Sequence, residues 1–546
     1  MADVQVAEKV ATMFARPLSE FEAFLPPTVN ANQYLLNGEL IEWEGPKEVV
    51  KSCVCVTNPE TGAVERASLG SIHRIDSVTA LRLLDSAFDA YDLGRGQWPR
   101  SSVGNRIQAT KNFLAKMVAV REDVVRLLMW EIGKNREEAE NEFDRTVEYC
   151  RETITALRER HNTDSRFVTS QGHVAQIRRL PIGVVLSMGP FNYPLNETFT
   201  TLIPAIIMGN TCVVKLPRHG CLSLVPLFKA FAECFPPGVV NIFNGRGADT
   251  AGPIIQTGKL TSLAFIGSST AANTLRIQHP KPNRLRCSLG LDAKNAAIVL
   301  GDADLNVALK EVLAGTLAFS GQRCTGIKIV FVHRSIVDVF VAKFAEIVDA
   351  LKFGLPWEAG VKLCPLPEVN KVQTLQRYVT DAVEKGARVV NKNGGAHNET
   401  FFFPAVVYPV DRTMRLWLEE QFGPIVPIVA FDQTEEVIDY IVDSSYGQQV
   451  SVFGKDSAVL GPIFDVLVHQ VCRVNLNGAC KRSPDTFPFT ARKDSAEGTL
   501  DIESALRAFS IRSMVAGPLT DDNQRIIQSV VTQRTSEFLN TDMLLS

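Results

Sequence analysis

From Pro181 onward the chain alternates short apolar runs with amphipathic stretches, and this rhythm constrains the fold more than any other feature. Residues 184–188 read as a strand, the stretch through Phe199 to Met208 as a helix, and 212–215 as the next strand. A helix over 222–234 precedes a strand at 239–243, and a loop and helix around 249–257 precede another at 262–265. A second series starts near Ala297. It holds a helix over 305–319, a strand over 325–332, helices over 337–351 and 368–385, and strands near Arg388, Ala405 and Val426. A strand at 450–453, a helix to about Val466 and a strand at 473–476 complete it. Strands and helices alternating at these intervals imply parallel sheets, whose strand ends are where cofactors bind. The fold class is α/β.

The remainder frames these two series. Residues 1–33 form an N-terminal extension that packs on the body, followed by strands at 34–41 and 51–56 and a turn at 58–62. Ser77 caps a helix with an apolar face of Leu83, Leu84 and Phe88, and further helices run from about Ser102 to His161. Residues 167–179 read as a hairpin around Ser170, Gln171 and Gly172, of a kind that mediates association. A last helix and strand occupy 504–515, and the remaining tail is polar.

Composition narrows the partners. A chain of 546 residues exceeds one core, so several domains or a large composite are expected. With 45% hydrophobic and 21% charged residues and a formal net charge of -3, it resembles an ordinary soluble protein without a nucleic-acid partner. No apolar run approaches the length that crosses a bilayer; the stretch 202–208 stops at Gly209. The eleven cysteines show neither a disulfide framework nor metal-ligand spacing, so no metal is expected and a reducing compartment fits. Asp3 and Glu8 in the first sixteen residues are unlike a transit peptide, and no secretory segment follows, which points to the cytoplasm.

One cysteine stands apart. In Ser320-Gly321-Gln322-Arg323-Cys324 the thiol follows a long helix and precedes a strand. There its backbone is fixed, its own N–H can face a developing oxyanion, and Arg323 favours the thiolate. The alternative is an inert buried cysteine.

Other segments carry a resemblance to the aldehyde dehydrogenase superfamily over about 34–515. Gly189-Pro-Phe-Asn-Tyr-Pro194 resembles the loop bearing an oxyanion asparagine, here Asn192. Gly209-Asn-Thr-Cys-Val-Val-Lys-Leu-Pro217 resembles the cofactor-ribose strand with Lys215, and Phe265-Ile-Gly-Ser-Ser269 resembles the cofactor turn with Gly267 and Ser268. Glu419-Glu-Gln-Phe-Gly-Pro424 resembles the element in which Glu420 holds the nicotinamide ribose and Phe422 packs beside the ring. Cys324 then falls at the nucleophile.

Within the superfamily the chain resembles the non-phosphorylating NADP-dependent glyceraldehyde-3-phosphate dehydrogenases. Arg145, Tyr193, Arg323 and Arg482 match their phosphate-binding positions, and guanidinium forks with a phenol suit a dianion. Arg218 stands where NAD-preferring relatives often carry an acid, which implies NADP as cofactor and NAD as the alternative. The resemblance further implies a cofactor-binding domain from 34–161 and 181–290, an oligomerisation element from 162–180 and 500–517, and a catalytic domain from 291–499. Residues 518–546 would be a C-terminal tail. A homodimer or homotetramer acting on a small phosphorylated aldehyde beside glycolysis is the implied assembly and role.

One part of the pattern is missing. The family's deacylating Glu lies in a Leu-Glu-Leu-Gly-Gly-Lys run, and the run here is Leu289-Gly-Leu-Asp-Ala-Lys294, which puts Gly290 where the base should be. Without a general base, cleavage of the thioester by water slows by a hundredfold or more. Asp292 is the acid nearby in sequence and a candidate substitute. Leu216, Ala272 and Gln421 are milder departures. The expected reaction is attack by Cys324 on an aldehyde, oxyanion stabilisation by Asn192, hydride transfer to NADP and a thioester left behind. The rivals are a catalytically silent homologue with a binding or structural role, and acyl transfer to an acceptor other than water.

Overall fold

A computed structural model describes residues 2–544. The rhythm from Pro181 produces a sheet of eight strands. Five of them, Val240–Phe243, Thr211–Lys215, Val184–Met188, Ser262–Ile266 and Arg286–Gly290, lie side by side in parallel. Helices cover both faces, so the inner strands are almost entirely buried and read as runs of Val, Leu, Ile and Phe. The second series gives a seven-stranded sheet with Ile425–Phe431, Ile327–His333, Asn295–Val299 and Gln449–Phe453 in parallel at its centre. Each sheet has its own buried apolar clusters.

A buried ion pair fixes the loop between Val184–Met188 and the helix Asn196–Ile207. Glu142, on the helix Arg136–Asp164, accepts from the amides of Leu195 (3.0 Å) and Asn196 (3.1 Å), two of the orphan donors at that helix start. Its other oxygen meets Lys134, and both side chains are out of contact with water. The Lys134 ammonium also sits 3.4 Å from the Tyr193 ring centroid. Removing either charge would strand the other, at a cost of about 3–5 kcal/mol.

The N-terminal extension packs on the body, as expected, through Phe21, Phe24 and the stacked rings of Trp130 and Trp357, whose centroids lie 4.4 Å apart. Several sequence expectations need correction. The strand expected at 34–41 is a hairpin of Gln33–Leu36 with Glu39–Glu42, because Asn37 and Gly38 adopt φ of 52° and 80° and turn the chain. The strand at 51–56 is longer, Lys47–Thr57, and pairs with Val64–His73, whose sparse apolar residues had hidden it. Asp76 caps the helix Ser77–Tyr91 in place of Ser77, accepting from the Thr79 amide at 2.8 Å. The helix at 222–234 opens as a tighter 3-10 segment, Cys221–Leu227, containing Pro226.

The hairpin and the late strand pair with each other. Ser510–Pro518 runs antiparallel to His173–Pro181, which also holds Phe167–Ser170, so this three-stranded sheet has two open edges, Phe167–Ser170 on the hairpin and Ser510–Pro518 on the late strand. The polar tail is structured. Asp521–Gln533 is a helix with no buried side chain, and the chain then folds back so that Asn540 accepts from Arg178 at 2.7 and 2.8 Å.

Candidate active site

A cleft of about 710 Å³ is lined by the C-terminal ends of the first sheet's parallel strands and by loops leading into the second sheet. Met188 to Asn192, Lys215 to His219, Ile266 to Ser268 and Gly290 to Asp292 form the first wall. Cys324, Glu420, Phe422 and Tyr446 come from the second.

The thiol owes its place to an unusual backbone. The helix predicted over 305–319 ends at Leu317, and Phe319, Ser320 and Gly321 follow with φ of 51°, 50° and 73°. Two non-glycine residues in that region cost about 1–3 kcal/mol each. At Gly321 a Cβ would lie 2.5 Å from the Gly423 carbonyl oxygen, so glycine is required for the chain to pass. Ser320 is tied down from both sides, donating to the Cys364 carbonyl and accepting from the Cys364 amide at 3.2 Å. Asn192, 4% exposed, donates through Nδ2 to the Gln322 carbonyl at 2.8 Å. This bond places a carboxamide two residues from the nucleophile.

The electrostatics correct one expectation. The Cys324 thiol is pushed up to about 11, first by burial and then by Glu197 and Glu420, against the opposing cations Lys328 and Arg482. Arg323 is not what favours a thiolate here; its guanidinium hydrogen-bonds Thr325 at 3.3 Å. The resting thiol is protonated at neutral pH.

Glu420 keeps one buried oxygen without a hydrogen-bond donor among the described residues, while the other accepts from the Ala293 amide at 3.2 Å. Burial raises its pKa, an effect opposed by Lys328, whose ammonium lies 3.6 Å away and over the Phe422 ring. Gln421, a departure from the family pattern, is buried and accepts from Lys294 at 2.8 Å while donating to the carbonyls of Lys328 and Ile425. It braces the segment that carries Glu420. Leu216 likewise gives its amide to the Phe243 carbonyl at 2.9 Å, a bond proline lacks.

The cofactor residues expected from the sequence converge on this cleft. Lys215 is held by the Leu216 carbonyl at 3.0 Å, and burial lowers it to about 8. Arg218 is exposed beside it. The Gly267 amide meets the Gly290 carbonyl at 3.0 Å, and the Ser268 hydroxyl caps the helix Ser269–Arg276. Asp292 faces that same helix, its Oδ2 accepting from the Ser269 amide (2.8 Å) and hydroxyl (2.7 Å).

The four substrate candidates are differently placed. Arg145 makes a two-pronged pair with Asp485 at 2.8 and 2.9 Å, and Arg482 binds Asp485 at 3.1 Å, the Leu500 carbonyl at 2.9 Å and Glu197. Tyr193 packs on Lys134, and among the described residues most of the Arg323 donors are unspent. Glu197, Asp485 and Lys328 were not singled out in the sequence. Lys328 gave a signal, a lone charge inside the apolar strand Ile327–His333, and Asp485 gave one too, standing three residues after Arg482; Glu197 gave none, since its partner Arg482 is remote in the chain.

The Aldehyde dehydrogenase family model matches residues 47–515. The chain belongs to the aldehyde dehydrogenase family. The NADP-dependent glyceraldehyde-3-phosphate dehydrogenase of Streptococcus equinus is 31% identical over 474 residues, covering 86% of this chain and 95% of the relative. Its namesake from Pisum sativum is 28% identical over 487 residues, covering 86% and 94%. Among solved structures, the NADP-dependent glyceraldehyde-3-phosphate dehydrogenase from Bacillus halodurans C-125 complexed with NADP has a TM-score of 0.81 at 28% identity. It covers 89% of this chain and 99% of its own. Lactaldehyde dehydrogenase from Escherichia coli has a TM-score of 0.79 at 25% identity, covering 89% and 99%. The fold is that of an aldehyde dehydrogenase, and the chain is an enzyme of the oxidoreductase class.

Proposed function

We propose that this aldehyde dehydrogenase oxidises glyceraldehyde 3-phosphate to 3-phosphoglycerate with NADP. The observation that carries the reading is the meeting of Cys324, Asn192 and the Gly267–Ser268 turn in one cleft. The residues present suit NADP: a helix start for the pyrophosphate, Lys215 and Arg218 for the ribose and its phosphate, and a Glu420 oxygen that receives no hydrogen bond from the described residues for the second ribose. Held there, NADP would supply the hydride acceptor. The chain does the rest. Cys324 attacks the carbonyl carbon, its proton leaving to water, and the Asn192 carboxamide with the Cys324 amide holds the oxyanion. The names of the relatives from Streptococcus equinus and Pisum sativum support both NADP and the phosphorylated substrate.

The pairing of Arg145 and Arg482 with Asp485 and Glu197 favours a second reading, an unphosphorylated aldehyde. Two guanidiniums and two carboxylates leave no net charge, so a phosphate must rely on Arg323 or displace an acid. Initial rates of NADPH formation decide: preference for glyceraldehyde 3-phosphate over glyceraldehyde by roughly tenfold or more supports the first reading. Equal rates favour the second.

The eight-stranded sheet would serve as cofactor domain and the seven-stranded sheet as catalytic domain. Replacing Arg218 by Glu is expected to weaken NADP relative to NAD by roughly tenfold or more, the worth of one charged hydrogen bond. Titration of both cofactors checks this, and an unchanged ratio contradicts the assignment. Self-association as a dimer or tetramer is also proposed. The open three-stranded sheet exposes Ile511, Met514, Val515 and Val168. Sedimentation at micromolar concentration is expected to show no monomer.

A further inference from the structure

Gly290 offers no proton acceptor, yet the cleft does not lack carboxylates near the thiol. Asp292 is engaged by the Ser269 amide and hydroxyl at 2.8 and 2.7 Å, turned to the cofactor turn. Glu420 belongs to the strap with Phe422 and Lys328, on the side assigned to the nicotinamide ribose. Glu197 is different. It stands on the first turn of the helix Asn196–Ile207, five residues after Asn192, and lines the cleft together with Asn192, Gly290 and Cys324. Its Oε2 is bound by Arg482, which is itself fixed by Asp485 and the Leu500 carbonyl, so the carboxylate is held in place. The residue is 7% exposed, and of the charges acting on the Cys324 thiol its own has the largest effect.

We propose that Glu197 replaces the carboxylate absent at position 290 and activates the water that cleaves the Cys324 thioester. The proposal rests on the dehydrogenase reading above. In the step, a water oxygen adds to the thioester carbonyl carbon while Glu197 takes one of its protons. Asn192 and the Cys324 amide hold the resulting oxyanion. Collapse breaks the carbon–sulfur bond, Glu197 returns its proton to the departing sulfur, and the acid leaves. One water is consumed and no electrons are transferred. Arg482 acts as a positioning residue, and the same pairing explains why it is not free for a substrate phosphate.

The test separates the two half-reactions. Glu197→Gln, which can still accept from Arg482, is mixed rapidly with glyceraldehyde 3-phosphate and NADP. The expected result is a first turnover of about one NADPH per subunit, followed by a steady-state rate lowered roughly a hundredfold or more. Intact-mass spectrometry should show the acyl group retained on the protein. Glu197→Asp, which keeps the charge, should recover part of the turnover. Adding Gly290→Glu to the Glu197→Gln protein should restore it. A side chain fits at position 290: its Cβ would meet nothing closer than Ile266 Cγ1 at 3.4 Å, and its φ is not positive.

Undiminished steady-state turnover in Glu197→Gln overturns the proposal. Loss of the first turnover in step with the steady state also overturns it, since Glu197 would then only hold the site together. If the unaltered protein gives no first turnover, the dehydrogenase reading itself falls and the proposal with it.

Discussion

The Cys324→Ser protein is expected to form no NADPH from aldehyde, a loss of roughly a thousandfold or more. A serine hydroxyl is a far weaker nucleophile than a thiol, and this cleft already holds the thiol up at about 11, so it has little means of ionising an alcohol. The fold should be indifferent, since serine is nearly isosteric with cysteine and the place of residue 324 is set by the backbone of Phe319 to Gly321. A stopped-flow trace shows the result directly. The same electrostatics fix the pH response of the unaltered protein. The thiolate is the reactive form and the thiol pKa is raised, so alkylation of Cys324 by iodoacetamide should be slow at pH 7 and accelerate toward pH 11. Fast alkylation at neutral pH would contradict the charge arrangement around Glu197 and Glu420.

Asn192→Ala is expected to lower turnover by about 10²–10³ while leaving cofactor binding unchanged. The carboxamide is buried, donates to the Gln322 carbonyl at 2.8 Å, and lies on the loop that Glu142 and Lys134 hold rigid. A donor fixed before the reaction costs no reorganisation when charge appears on the substrate oxygen. The loss should fall on the rate of the first turnover, because the oxyanion forms when the thiol adds. Calorimetric titration with NADP and a rapid-mixing trace together check this. An unchanged first turnover would remove Asn192 from the oxyanion site.

The two parallel sheets were legible because their inner strands, buried on both faces, leave continuous apolar runs at regular intervals. The loops at their ends were legible because Asn192, Lys215, Gly267 and Cys324 occur in a fixed order at those ends. What stayed hidden was pairing between distant segments. Glu197 meets Arg482 across 285 positions, and Asp485 meets Arg145 across 340, so neither neutralisation has a local signature. Arg145 therefore reads as a free cation although its partner is an acid, whereas Arg482 has Asp485 three residues on and only its second acid, Glu197, is hidden. The strand Val64–His73 stayed hidden for another reason: its pairing with Lys47–Thr57 supplies the stability that its own sparse apolar residues do not.

The central claim is that Cys324 carries the aldehyde carbon through oxidation as a covalent adduct. Acid quench within the first turnover with glyceraldehyde 3-phosphate and NADP, followed by intact-mass spectrometry and peptide mapping, tests it most directly. The account predicts one acyl group per subunit, on the peptide containing Cys324, appearing together with NADPH. A folded protein that binds NADP but shows neither adduct nor NADPH would contradict it and mark a silent member of the family.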